Sequence, residues 1–296
     1  MSDFKLMRKI LFLLLLFFFS SFYAQQKKKD TVSVPTWKIH GRFTFIFNQS
    51  SFTNWTSGGE NTIAGNLNVN YDFNYKKQYV NWDTRILSGY GLSYVSEKGF
   101  RKMNDRFELN SLYGIRTRGA WFFSNFINFK TQYSRGYNYK KTSQELVSAF
   151  FSPAYLSLGP GALWKKSDNL HVNIAPGTAR FTFVNDFFSG KFGVEEGKNV
   201  AFSLGFNLSG YYKLNIMENI EMENILMIYS DYLDKPKNID IEYQVNFRFK
   251  VNKFIKMHLT LHTIMDENAS GKTQLRELFG LGLNYSFHQK EIYKNL

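Results

Sequence analysis

The sequence predicts an all-β fold, a transmembrane antiparallel up-and-down β-barrel of about twelve strands, and three observations predict it. Segment after segment alternates apolar and polar residues with the period of two that belongs to strands, not the 3.6 of helices. Aromatic residues make up 18% of the chain, with 31 Phe and 18 Tyr, yet the mean hydropathy is only -0.33. Strands that turn one side to lipid and the other to a polar lumen reconcile those two facts. Finally, the connections between the segments alternate between short and long.

The first residues have a different character. Lys5, Arg8 and Lys9 precede an unbroken apolar run from Ile10 to Phe19. That run is shorter than the roughly 20 residues of a spanning helix and reads as a secretory signal peptide over residues 1–24, cleaved after Ala24. Residues 25–36 form a short polar leader expected to be flexible and periplasmic. The chain has no cysteine, which excludes a cysteine-anchored lipoprotein and a disulfide scaffold. Removing Lys5, Arg8, Lys9 and Asp3 with the signal lowers the formal charge from +13 to +11. In an exported chain whose charges alternate with apolar residues, this basic balance indicates a surface near anionic headgroups, not a nucleic-acid partner.

The barrel is expected over residues 37–287. Its first strand carries Trp37, Ile39, Gly41, Phe43, Phe45 and Phe47 on the lipid side. The second is the clearest: Ile63, Gly65, Leu67, Val69, Tyr71, Phe73 and Tyr75 alternate with Thr62, Ala64, Asn66, Asn68, Asn70, Asp72 and Asn74. A third runs from Val80 to Tyr94, followed by a charged loop, SEKGFRKMND. Arg106–Arg116 and Ala120–Ser134 continue the alternation. Phe202 to Leu214, Ile220 to Ile228, Ile239 to Val251, Ile255 to Leu261 and Phe279 to Phe287 complete it. Between them, two strands in residues 150–185 are interrupted by Pro153, Pro160 and Pro176, where bulges or early strand ends are expected because proline lacks a ladder donor.

The connections Lys76–Gln78, Thr117–Gly119, Lys165–Asn169, Asn215–Asn219 and Asn252–Lys253 are short. Those at the other end run longer, above all GYNYKKTSQELVSAF and NDFFSGKFGVEEGKN. Short periplasmic turns and long external loops with an even strand number are the habit of outer-membrane barrels. Both termini then lie in the periplasm, with residues 288–296 as a periplasmic tail.

Several motifs run along nearly the whole mature chain: Asn54-Trp55 with Gly58-Gly59-Glu60-Asn61, Tyr75-Lys76, Trp82-Asp83, Tyr90-Gly91, Arg101-Lys102, Tyr113-Gly114, Phe129-Lys130-Thr131-Gln132, Gly136-Tyr137, Pro153-Ala154-Tyr155, and the closing Gly280, Gly282, Tyr285 and Phe287. Through them the chain resembles a family of outer-membrane proteins of diderm bacteria catalogued as a domain of unknown function, number three thousand and seventy-eight. The NW-x-x-GGEN cluster is the specific part. The resemblance implies an outer-membrane barrel and brings no known catalytic residues. The chain departs from the family at its end, where HQKEIYKNL follows the closing aromatic.

Candidate sites are of two kinds. Asn54, Trp55, Gly58, Gly59, Glu60 and Asn61 fall on the first external loop, where Trp55 and Glu60 are placed to meet a ligand or partner. Equally, the glycines serve backbone geometry, Trp55 packs, and Glu60 or Asn61 caps the turn, the commoner role of Gly-rich turns. The second kind is the set of lumen-side charges: Asp72, Asp83, Arg85, Glu108, Arg116, Lys130, Lys213, Glu221, Glu223, Asp240, Glu242, Arg248 and Lys250. These form either a pore with a charge filter or a mutually paired network that occludes or narrows the passage.

His258 and His262 would share a metal on a helix, but on a strand they stand about 13 Å apart, so no metal site is expected. No cofactor is expected either. No serine has a nucleophile-elbow context, and the chain is read as a non-enzyme. Its partners are outer-membrane lipid and, in one reading, other outer-membrane proteins. Two functional readings follow: a narrow porin-like channel for small solutes, and an accessory or structural barrel subunit of a larger outer-membrane assembly or secretion complex.

Overall fold

The computed structural model describes residues 37–52, 60–139, 145–234, 236–266 and 272–292. The signal peptide, the leader, Asn54, Trp55, Gly58, Gly59 and residues 293–296 lie outside the described residues. Among the described residues there are fourteen strands: β1 (Trp37–Ser50), β2 (Thr62–Lys77), β3 (Val80–Val95), β4 (Gly99–Arg118), β5 (Trp121–Thr131), β6 (Gly136–Asn138), β7 (Glu145–Ser148), β8 (Ala154–Ser167), β9 (Leu170–Phe183), β10 (Val200–Met217), β11 (Ile220–Asp231), β12 (Ile239–Lys250), β13 (Ile255–Met265) and β14 (Gln274–Ile292). All but β6 and β7 form one closed antiparallel barrel, twelve strands in sequence order, with β14 returning to β1. Strands β6 and β7 make a small separate sheet within the long connection expected between β5 and β8.

The wall follows the predicted alternation. On the outside, Phe45, Leu67, Trp82, Ile115, Phe123, Phe202, Ile239 and Leu283 are all exposed, Phe123 at 53% and Leu283 at 62%. On the inside, Asn66, Asn104, Glu108, Asn128, Asn173, Asn207 and Glu223 are buried. A protein whose aromatics face out and whose asparagines face in has lipid as its surroundings. Backbone closure supplies the remaining requirement, since a barrel leaves no unpaired edge in hydrocarbon. The protein is a transmembrane β-barrel of the outer-membrane type.

Closure is made by the alternation at the two ends of the sequence. Arg42 pairs with Ser286, Phe43 with Tyr285 and Phe45 with Leu283 across β1 and β14. Gly41 leaves a gap on the outer face that the Phe287 ring covers, since a Cβ on Gly41 would lie 2.1 Å from that ring. Phe287 in turn meets Tyr71 at 5.5 Å and Phe43 at 6.2 Å between ring centroids. Near the short-turn end, Trp37 lies 5.1 Å from Tyr75 and 5.7 Å from Trp82. Amphipathic rings of this kind settle at the edge of hydrocarbon.

Three expectations are corrected. The segment SEKGFRKMND is not a loop: only Ser96, Glu97 and Lys98 turn the chain, and β4 begins at Gly99. The ladder with β3 continues through Tyr94–Phe100 and Leu92–Lys102, with a bulge after Gly91 that absorbs the break in alternation. The connection after β3 is therefore short, unlike the others at its end. The last strand also runs past Phe287, with His40 opposite His288 and Trp37 opposite Ile292. Pro160 and Pro176 do sit at irregularities: the β8–β9 ladder skips from Leu158 to Ala162, and the β9–β10 ladder shifts beside Ala175.

Packed apolar residues occur in two places. Phe122, Phe126 and Leu163 fill part of the lumen. At the long-loop end, Phe188, in a 3-10 turn over Asp186–Phe188, is fully buried among Val184, Val194 and Ala149. That small core ties the β9–β10 loop to the β7 side of the β5–β8 connection.

Candidate functional site

The lumen collects most of the charged side chains singled out in the sequence. A strand's period of two sends every second residue inward, so a polar residue at each inward position builds a charged column on each strand. Closure then sets columns from distant strands face to face. Arg85 on β3 binds Asp72 on neighbouring β2 at 2.6 Å and reaches Glu223 on β11 at 3.4 Å. In the strand order of the barrel, β3 and β11 stand diametrically opposite. Arg106 on β4 pairs with Glu108 and donates to Gln244 on β12, another diametrically opposed strand, at 3.0 Å. Lys130 on β5 reaches Glu242 on β12 at 2.5 Å.

Around this belt the remaining charges find partners on nearer strands. Glu221 accepts from Lys213 at 2.7 Å and from Arg248; Glu223 accepts from Arg248 at 2.5 Å and from Tyr211 at 2.8 Å. Lys165 binds Asp83 at 2.6 Å, and Arg180 binds Asp240 at 2.7 Å while lying over the Tyr229 ring. His262 contacts Glu242 at 2.9 Å and Arg276 at 3.2 Å, whereas His258 contacts Asn284 at 3.1 Å, so each histidine has its own partners. Arg116 and Lys250 stand apart from the belt. Both are exposed near the short-turn end, Arg116 with its guanidinium 5.2 Å from the Phe122 ring.

The belt divides the interior. One chamber of about 190 Å³ lies toward β5, β8 and β10, with Phe126, Lys165, Asn207 and Tyr211 in its wall. Another of about 200 Å³ lies along β1, β2 and β14, with Arg42, Asn70, His258 and Arg276. Above them, a vestibule of about 420 Å³ at the long-loop end is lined by Glu108, Lys130, Tyr155, Arg180, Asp240 and Glu242. Arg106 borders all three. An asparagine ladder trims the passage further: Asn104 donates to Asn66 at 3.2 Å. Gly89 makes room for it, because a Cβ there would lie 2.6 Å from the Asn104 amide.

Several members of this network were not singled out in the sequence: Arg42, Arg106, Lys165, Arg180, Tyr211, Gln244 and Arg276. Arg106 shares the inward parity of Glu108 and was legible on that ground. Lys165 and Arg180 sit on the two proline-interrupted strands, where parity could not be carried across the bulge.

Of the six motif residues of the β1–β2 loop, Glu60 and Asn61 are described. Asn61 accepts from the backbone amide of Phe52 at 2.6 Å, and its carbonyl accepts from Ser96 at 2.9 Å. Glu60 pairs with Lys98 of the tight β3–β4 turn. These two residues hold the base of the loop against the neighbouring hairpin.

No curated protein matches the chain. Among solved structures, an outer membrane channel from Pseudomonas putida F1 is 12% identical over 90% of this chain and all of that one, with a TM-score of 0.40. The NanC porin is 10% identical over 84% and 97% of the two chains, with a TM-score of 0.36. The translocator domain of the autotransporter NalP from Neisseria meningitidis is 7% identical over 86% and 90%, with a TM-score of 0.33. No residue role follows from likenesses this distant. The model of a family described as "Protein of unknown function (DUF3078)" matches residues 47–137, from Phe47 in β1 to Tyr137 in β6, and shows the resemblance to that family over that stretch.

Proposed function

We propose that this protein is a non-enzymatic, narrow porin-like channel for ions and small polar solutes. The observation that carries this reading is the cross-lumen belt of Arg85, Glu223, Arg106 and Gln244, bordered by chambers and a vestibule whose walls carry charged side chains. A barrel filled only for strength would gain from apolar packing, because buried ion pairs are often no more stabilising than hydrophobic replacements. A charge-lined interior suits a wet passage. The chain is expected to be exported by its signal peptide, with the short turns and both termini in the periplasm and the long loops outside.

Conductance of the purified, folded protein in planar bilayers tests the proposal. Small currents are expected from the unaltered protein and larger ones from Arg85→Gln or Glu223→Gln, which open the belt. No current from any of the three would sink the channel reading. A second reading, an accessory barrel in a larger assembly, is favoured by exposed aromatics near the long-loop end, where Phe100, Phe150 and Phe187 are uncovered. Stable stoichiometric partners recovered from native membranes would support it.

A further inference from the structure

We infer that the chamber along β1, β2 and β14 is an anion site, built around Arg42, for a small oxyanion such as phosphate or a short carboxylate. The argument begins with which lumen charges are matched. Asp72, Asp83, Glu108, Glu221, Glu223, Asp240 and Glu242 each hold at least one cationic side chain within ion-pair distance. Their partners are Arg85, Arg106, Lys130, Lys165, Arg180, Lys213 and Arg248. Among the described lysines and arginines that border the three chambers, Arg42 and Arg276 have no carboxylate partner. Both lie on the adjacent strands β1 and β14, so the unmatched positive charge of the chambers is gathered on one side of the barrel.

Arg42 is the sharpest case. Its Nε is buried without a hydrogen-bond partner, and its side chain lines a chamber of about 200 Å³. The charges that act on it most strongly are Arg248, Glu223, Glu221 and Asp72. The three carboxylates are already engaged, Glu221 by Lys213 and Arg248, Glu223 by Arg248 and Arg85, and Asp72 by Arg85. A half-buried guanidinium with a buried, unpartnered Nε, beside another cation and with the neighbouring carboxylates committed elsewhere, is costly unless an anion joins it. Its planar fork matches an oxyanion in two-point contact.

Neutral donors complete the site. Asn70 stands directly across the β1–β2 ladder from Arg42, and Asn70 and His258 border the same chamber. Arg276 borders it too: its terminal nitrogens contact Asn104 and His262, while its Nε also lacks a partner. Arg276 lies toward the long-loop end of β14 and Arg42 toward the short-turn end of β1. An anion entering from the loops thus meets one unmatched guanidinium first and the other deeper. The binding part of this inference stands without conduction; the selectivity part rests on the channel reading.

Two measurements on the full, folded barrel decide it. In detergent micelles, calorimetry with inorganic phosphate is expected to show binding that Arg42→Gln abolishes and Arg42→Lys weakens; absence of binding, or binding unchanged in Arg42→Gln, overturns the site. In planar bilayers under a KCl gradient, the reversal potential is expected to have the sign of chloride preference and to move toward zero in Arg42→Gln and Arg276→Gln. Cation preference, or a potential unmoved by both changes, overturns the selectivity. If no current flows, the channel reading fails, and the phosphate titration alone still decides the site. Each variant is accepted only if it keeps the heat-modifiable electrophoretic shift of a folded barrel.

Discussion

Glu223 shows how one inward position acquires several duties. It is buried, with 7% of its side chain exposed, and it receives Arg85, Arg248, Tyr211 and Asn246. Removing one member of such a cluster leaves others charged and unpaired, which typically costs about 3–5 kcal/mol. Glu223→Ala is therefore expected to lower the unfolding free energy of the barrel in lipid, read from urea titration, by an amount near the lower end of that range. The outer face follows another rule. Val69→Arg puts a charge on the lipid side near the middle of β2 and should cost about 2–4 kcal/mol. Ser209→Arg, which faces a lumen chamber, should cost less; equal losses in the same denaturation assay would contradict the register. That the two faces differ was legible from alternation alone. Which charge meets which was not, because Arg85 and Glu223 are separated by 138 positions.

Among the elements, the pair β8 and β9 departs most from regularity. Gly161 packs so tightly that a Cβ would lie 2.5 Å from the Ile174 carbonyl, whereas a Cβ on Gly177 would meet nothing within 4 Å. Gly161→Ala is expected to lower stability by about 1–3 kcal/mol, the usual range for overpacking. Gly177→Ala in the same bulged region should leave it nearly unchanged, as thermal loss of the folded electrophoretic form would show. The prolines announced these bulges in the sequence, while the close contact between the two strands could not be read there. The loop cap is a second case. Phe188 is fully buried under the β9–β10 loop, so Phe188→Ala should expose that loop to limited proteolysis while the barrel stays intact. The sequence had shown only a long connection; its apolar residues scatter without a period, and their convergence with Ala149 needs the tertiary fold. The opposite error occurred at FRKMND, where charge suggested a loop and the β3–β4 ladder imposed a strand.

At the scale of the whole molecule, orientation is the open expectation. If the long loops lie outside, an epitope inserted after Lys237 in the β11–β12 loop should be detected on intact cells, and one after Asn219 in a short turn only after permeabilisation. The reverse pattern would invert the assignment of both termini. Strand number, alternation, lipid face and the polarity of the lumen were determined by the sequence by itself, because they depend on local period and on the lengths of connections. Three things were decided only by the tertiary structure: the belt across the lumen, the chambers it separates, and the unmatched chamber cations of β1 and β14. The physical reason is closure. Alternation states that a charge points inward, but the partner it meets depends on ring position and stagger, which arise only when β14 pairs with β1.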